Sequence, residues 1–160
     1  MATAYIETTI PSLYVARPSR DVLHLAQQKA TWDWWDSGCS GFELVTSSET
    51  ISEASRGDPK KAKERLELLE PLTRISTPNE ATVLADDLIK QGIIPESVSS
   101  DALHIAIAAV HGVDYLVTWN FKHIANPFIR ERIRKVVTDH GYKMPVMCSP
   151  DSLMNYELND

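Results

Sequence analysis

The sequence is poor in the features that would tie a small fold together covalently or carry it into a membrane. Its 160 residues include two cysteines, Cys39 and Cys148, which have neither the number nor the close spacing of a zinc site or a disulfide framework and suit a reducing cytoplasm. No run approaches the roughly 18 apolar residues of a membrane span, and the opening MATAYIETTIPSLY has neither the basic segment nor the long apolar core of a secretory signal. A cytoplasmic protein with no membrane role is expected. Positive charge is scarce: 16 Lys and Arg against 22 Asp and Glu leave a net charge of −6. That balance argues against holding nucleic acid through a general positive field and leaves only local basic patches for the task. No Gly-rich phosphate loop follows the first apolar strand, no Cys–His zinc spacing occurs, and there is no Gly-x-Ser-x-Gly elbow.

What is present is the composition of one ordinary globular domain, 43% hydrophobic and 24% charged, so residues 1–160 are read as a single domain with a sizeable core. The most informative stretch is 99–126, SSDALHIAIAAVHGVDYLVTWNFKHIAN. Ser99 or Ser100 can cap a helix whose first turn holds Asp101, and Leu103, Ile105, Ile107, Ala108 and Val110 run almost all round it, the mark of a buried helix. Gly112 ends that helix, and 113–118 is a short β-rich run suited to the middle of a covered parallel sheet.

The rest of the chain alternates in the same way. Residues 4–6 read as a strand running into a polar turn, Glu7 to Pro11. A helix over 19–37 is expected to be capped by Ser19 and to pack inward on Val22, Leu23, Leu25, Trp32 and Trp35. A strand at 42–46 leads to a helix starting near Ser48 or Thr50, with Glu53 in its first turns. Gly57, Asp58 and Pro59 break it before another helix over 60–69. A brief strand at 73–76 precedes a helix that Thr77, Pro78 and Glu80 mark by cap, first-turn proline and capping-box acid. A helix opened by Asn126 and Pro127, a strand at 145–148 and a short terminal helix complete the chain. This order predicts an α/β fold, three layers with a mainly parallel central sheet of about five strands.

In such a sheet Glu7 follows strand one, Glu53 follows strand two, Asp101 opens the central helix and Asn120 follows strand four, all at the edge where open α/β sheets bind ligands. Three carboxylates without basic partners repel one another unless a cation neutralises them. A hard divalent ion, Mg²⁺ or Mn²⁺, is the natural partner, and such ions point to phosphodiester or phosphoryl chemistry. Taken singly, each acid also has a plain structural use, as turn cap, solvated helix face or helix-dipole partner. His104, on so apolar a helix, reads first as a core histidine with one satisfied hydrogen bond. Two basic clusters, around Arg56, Lys60 and Arg65 and around Arg130, Arg132 and Arg134, suit either a solvated helix face or an RNA backbone.

With these residues in place, the central stretch SDALHIAIAAVHGVDYLVTWNFKHI, together with YIETTIPS and TISEASRGD, resembles the PIN domains of the VapC-like toxin group, over most of the chain from Tyr5 to CSPDSLM. The resemblance implies a magnesium- or manganese-dependent ribonuclease, commonly a homodimer and often the toxin paired with an antitoxin protein. It assigns Glu7, Glu53, Asp101 and Asn120 to the four catalytic positions, the first three as metal ligands, with Glu49 as an alternative second acid. Thr8 or Thr9, and Thr118, take the small hydroxyl positions beside the acids, with Thr8 and Thr118 expected to position substrate. Arg56, Lys60, Arg130 and Arg134 would guide the RNA backbone. Two departures stand out: Glu7 replaces the usual Asp and reaches one methylene further, and Asn120 replaces an acid. These leave a second reading open, a catalytically attenuated RNA- or protein-binding module, and a third, a small-molecule phosphatase using the same metal logic.

Overall fold

The computed structural model describes residues 1–154. Five strands form one wholly parallel sheet: β1 (Ala2–Ile6), β2 (Phe42–Ser47), β3 (Thr73–Ile75), β4 (Tyr115–Val117) and β5 (Val146–Cys148), in the order β3-β2-β1-β4-β5. Seven α-helices among the described residues cover its two faces: α1 (Thr9–Val15), α2 (Val22–Asp33), α3 (Ser48–Ala54), α4 (Pro59–Leu69), α5 (Asn79–Lys90), α6 (Ser99–Val110) and α7 (Arg130–Asp139). The α/β class, the parallel sheet and the strand count are as expected.

Because successive strand residues point to opposite faces, each central strand feeds two cores. Tyr5 and Leu116 join Leu84, Leu88, Ile105, Ile107, Ile133 and Val137 beneath α5, α6 and α7. Ala4, Ile6 and Val117 join Ile10, Trp34, Phe42, Ala54 and Leu69 on the other side. Burying each such Leu, Ile or Val contributes about 1.5–3 kcal/mol. The sheet's centre is therefore fixed tightly, and its carboxyl-end loops are fixed with it.

Local sequence sets most element ends. Ser47 accepts from Thr50 N and Asp58 from Lys61 N, capping α3 and α4, and Gly57 takes a positive φ of 84° to turn the chain between them. Elsewhere tertiary contacts displace the expected caps. Val98 and Pro78 occupy the positions before α6 and α5 without side-chain capping bonds, and Ser100 donates instead to Glu49.

Three elements differ from the sequence expectation. The polar turn after β1 is the start of α1, with Pro11 in its first turn, where no intrahelical donor is needed. The helix read over 19–37 is α2 followed by a π-helical turn, Trp34–Gly38. It is capped by Asp21, not Ser19, and its apolar start lies in solvent, Val22 being 83% exposed and Leu23 70%. The buried Gln28 holds this helix through the carbonyls of Ala16 and Arg17, and Trp34 is its fully buried aromatic. Gly38 permits that turn, since a Cβ there would meet Trp34 Cδ1 at 2.9 Å and Met154 Sδ at 2.8 Å. Finally, Asn126 closes a local turn by accepting from Phe128 N, and α7 begins only at Arg130.

Asp87 on α5 meets His140, just past α7, at 2.8 Å, and this bond holds its carboxyl below the ordinary range. A carboxyl lowered by folding stabilises the fold above its unfolded pKa, near 3.8, and the contribution is lost as pH falls through the folded-state value. The pair is partly solvent-screened, so Asp87→Asn should cost about 0.5 kcal/mol between about pH 5 and 6. Urea unfolding should show that difference closing below about pH 3.

Candidate active site

The chain runs from β1 outward to β2 and β3, then crosses back to β4 and β5 on the other side of β1. The switch point therefore lies between β1 and β4, and ligands in open α/β sheets bind at the carboxyl ends there. Glu7 follows β1 directly, and its backbone N–H bonds Val117 O at 3.2 Å. Only 3% of the residue is exposed. One carboxylate oxygen, Oε2, accepts from Thr9 N at 3.0 Å, Thr9 Oγ1 at 2.5 Å and Thr118 Oγ1 at 2.8 Å. Among the described residues nothing donates to Oε1.

Glu53, on α3, stands opposite. Its Oε1 accepts from Thr8 Oγ1 at 2.7 Å and lies 2.5 Å from His104 Nε2. His104 is fully buried on α6, and its Nδ1 is 2.7 Å from the Tyr5 hydroxyl, which also meets Ser47 and Thr50. One ligand-type atom from each of Glu7, Glu53 and His104 lies within 4.8 Å of the others.

The electrostatics separate the two acids. Burial pushes the Glu7 carboxyl up, and the charge of His104 with the bonds from Thr9 and Thr118 only partly offsets it. Burial also raises Glu53, but the His104 hydrogen bond, the charge of His104 and the Thr8 hydroxyl outweigh it and hold Glu53 below its ordinary value. For His104 burial opposes the charged ring, whereas Tyr5, Glu53 and Glu7 together hold it well above the usual imidazole range. Two carboxyls pushed in opposite directions within one crevice are typical of a working site.

The remaining expected residues are placed as follows. Asp101 lies one turn before His104 on the same face of α6, but it is not one of the three clustered groups, and its Oδ2 faces His123 Nδ1 at 3.3 Å. Asn120 Oδ1 accepts from His123 N at 3.0 Å, and its backbone N–H bonds Thr118 Oγ1 at 2.9 Å, so Nδ2 is the polar atom left over. Thr8 and Thr118 both hold carboxylates. Glu49 is engaged by Ser100. Of the basic residues, Arg134 pairs with Glu131, whereas Arg56, Lys60 and Arg130 make no ion pair among the described residues.

Tyr5 is absent from the sequence reading of the site; His104, read first as a core histidine, is fully buried but bonds both Tyr5 and Glu53, and His123 faces Asp101. One signal for Tyr5 was available: a tyrosine inside a buried strand must bring a partner for its hydroxyl.

No family model matches the chain, and no curated protein matches it in sequence. Among solved structures it is similar to a chain of "VapBC2 from Rickettsia felis bound to a DNA fragment from their promoter", with a TM-score of 0.50, 15% identity, and coverage of 91% of this chain and 97% of that one. The fold is PIN-like. At this identity the likeness concerns architecture, three layers around a parallel sheet, and chemistry must be argued from the side chains above. Among the described residues no helix is long and apolar enough to cross a membrane.

Proposed function

We propose that this chain is a divalent-metal-dependent endoribonuclease cleaving single-stranded or structured RNA, and that it is the cytoplasmic toxin of a toxin–antitoxin pair. One observation carries the reading: Glu7 and Glu53 converge with His104 at the switch point of a PIN-like sheet. The donor set fits Mg²⁺ or Mn²⁺, since Glu7 has a carboxylate oxygen with no hydrogen-bond donor on it among the described residues and is buried where a cation would relieve its charge. Glu7 and Glu53 would hold the ion, with Asp101 as the third carboxylate. The ion would lower the pKa of water and shield charge on the phosphate.

The protein's own contribution is orientation. Thr9 and Thr118 fix Glu7, while Thr8 and His104 fix Glu53, and Asn120 Nδ2, which has no partner among the described residues, would hold a water toward the phosphodiester. Arg56, Lys60, Arg130 and Arg134 would guide the RNA backbone. An antitoxin protein and a second copy of the chain are the partners that this reading implies.

The test is cleavage of RNA with Mn²⁺, with EDTA and by Asp101→Asn. Chelation should abolish activity, and the substitution should lower kcat by roughly 100-fold or more. Activity indifferent to both would sink the assignment. The attenuated binding module is the second reading, favoured by Asn120, whose carbonyl oxygen is spent on His123 N. Calorimetric titration separates the two: a protein that takes up no Mn²⁺ at millimolar concentration belongs to the second.

A further inference from the structure

The loop after β4 is pinned to the site at both ends. Thr118 Oγ1 donates to Glu7 and Trp119 N to Thr9 Oγ1 at 2.9 Å, while five residues on His123 faces Asp101 and bonds Asn120. Between these anchors Phe121 is 45% exposed. Its ring meets Trp119 nearly edge-on, with centroids 5.8 Å apart and planes at 74°. In that geometry Trp119 covers at most one face of the phenyl ring, and nearly half of the residue's surface is exposed where a planar group could approach. Lys122 follows directly, exposed and without an ion pair among the described residues, as are Arg130 and Arg132 on α7.

A scattered surface phenylalanine needs no explanation. This one sits in a loop anchored by the Thr118 hydrogen bond to Glu7 and by His123 facing Asp101, next to the exposed cation of Lys122 on an otherwise acidic protein. We propose that Phe121 is a base-stacking platform, on which an unpaired base of the RNA lies while Lys122 meets a neighbouring phosphate. This rests on the nuclease reading and sharpens it: the substrate is taken single-stranded, because a base inside a duplex has no free face to offer.

The decisive variants are Phe121→Leu, which keeps an apolar contact with Trp119 but has no π face, and Phe121→Tyr, which keeps both. With Mn²⁺ and a short oligouridylate, Phe121→Leu should raise KM roughly 5- to 100-fold with kcat little changed, and Phe121→Tyr should match the parent. On a duplex of the same length the three proteins should be equally poor. As a second measurement, oligouridylate added to Phe121→Trp should quench indole fluorescence beyond any quenching seen with the parent. If the parent cleaves and Phe121→Leu leaves KM unchanged, stacking is overturned while the nuclease stands. Smaller species in sedimentation with KM unchanged would make Phe121 a protein contact and overturn it equally. A parent that cleaves no RNA overturns both readings.

Discussion

His104→Ala is expected to lower the thermal unfolding midpoint by roughly 6–12 °C. The estimate comes from a loss of about 3 kcal/mol and the 2–4 °C per kcal/mol usual for a chain of this size. The imidazole is fully buried between Tyr5 and Glu53. Tyr5 keeps Ser47 and Thr50 as partners when the ring is removed, so the hydroxyl is not orphaned. The larger loss is electrostatic. Glu53 loses the bond that holds its pKa down, and Glu7 loses the positive charge that its burial most requires. Removing one member of a buried charge pair costs about 3–5 kcal/mol, and the partial exposure of Glu53, 23%, places this case at the low end. Calorimetry in EDTA measures the drop. Repeating it with Mn²⁺ defines what His104 does: if it is the counterion that stands in for metal, the variant gains more from Mn²⁺ than the parent does. A smaller gain than the parent's would make the imidazole a metal ligand instead.

Glu7→Gln should separate stability from function. The carboxyl is raised by burial, so the folded state binds its proton more tightly than the unfolded chain does. Stability from this group therefore falls as pH rises from the unfolded value of about 4.5 through the folded one. At neutral pH the charged group is a cost, and glutamine removes it while still accepting from Thr9 and Thr118 through one oxygen. The variant is expected to unfold at an equal or higher temperature in EDTA, by up to about 1 kcal/mol in stability. Its Mn²⁺ affinity and its cleavage rate should each fall at least about 100-fold. A variant that loses stability at neutral pH would show that the buried carboxylate is better compensated than its surroundings indicate.

These two residues show how far the sequence could be read. The strands and the run from α3 to α6 follow from alternation, the Gly and Pro breaks between elements and the all-round apolar pattern of 103–110, because those signals act within a few residues. Glu7 and Glu53 were legible for the same reason: each sits just past a recognisable strand. The failures are contacts between distant parts of the chain. Tyr5 and His104 are 99 residues apart, as Glu7 and Thr118 are 111 apart, and no local spacing announces either pair. α1 was hidden because Glu-Thr-Thr-Ile-Pro-Ser is turn-like in isolation. Only in the fold does the Glu7 carboxylate satisfy the Thr9 N–H and let a helix begin there. The apolar start of α2 misled in the other direction, since its anchor is the polar Gln28.

The hydroxyls around Glu7 have a directionality that biases where its proton sits. Backbone N–H groups only donate, so Thr9 Oγ1 must accept from Trp119 N and Thr118 Oγ1 from Asn120 N. Each threonine then has a single hydrogen left, and both hydrogens point at the same carboxylate oxygen, already approached by Thr9 N. Protonating Oε2 would require turning both hydroxyl hydrogens away from it, so the proton is favoured on the other oxygen. A proton taken up by Glu7 is favoured on Oε1, which carries no hydrogen bond among the described residues, and there the residue changes from acceptor to donor toward any ligand without moving. Serine should replace either threonine and keep all three donors on Oε2, whereas valine, of nearly the same shape, should remove one of the three and weaken the preference.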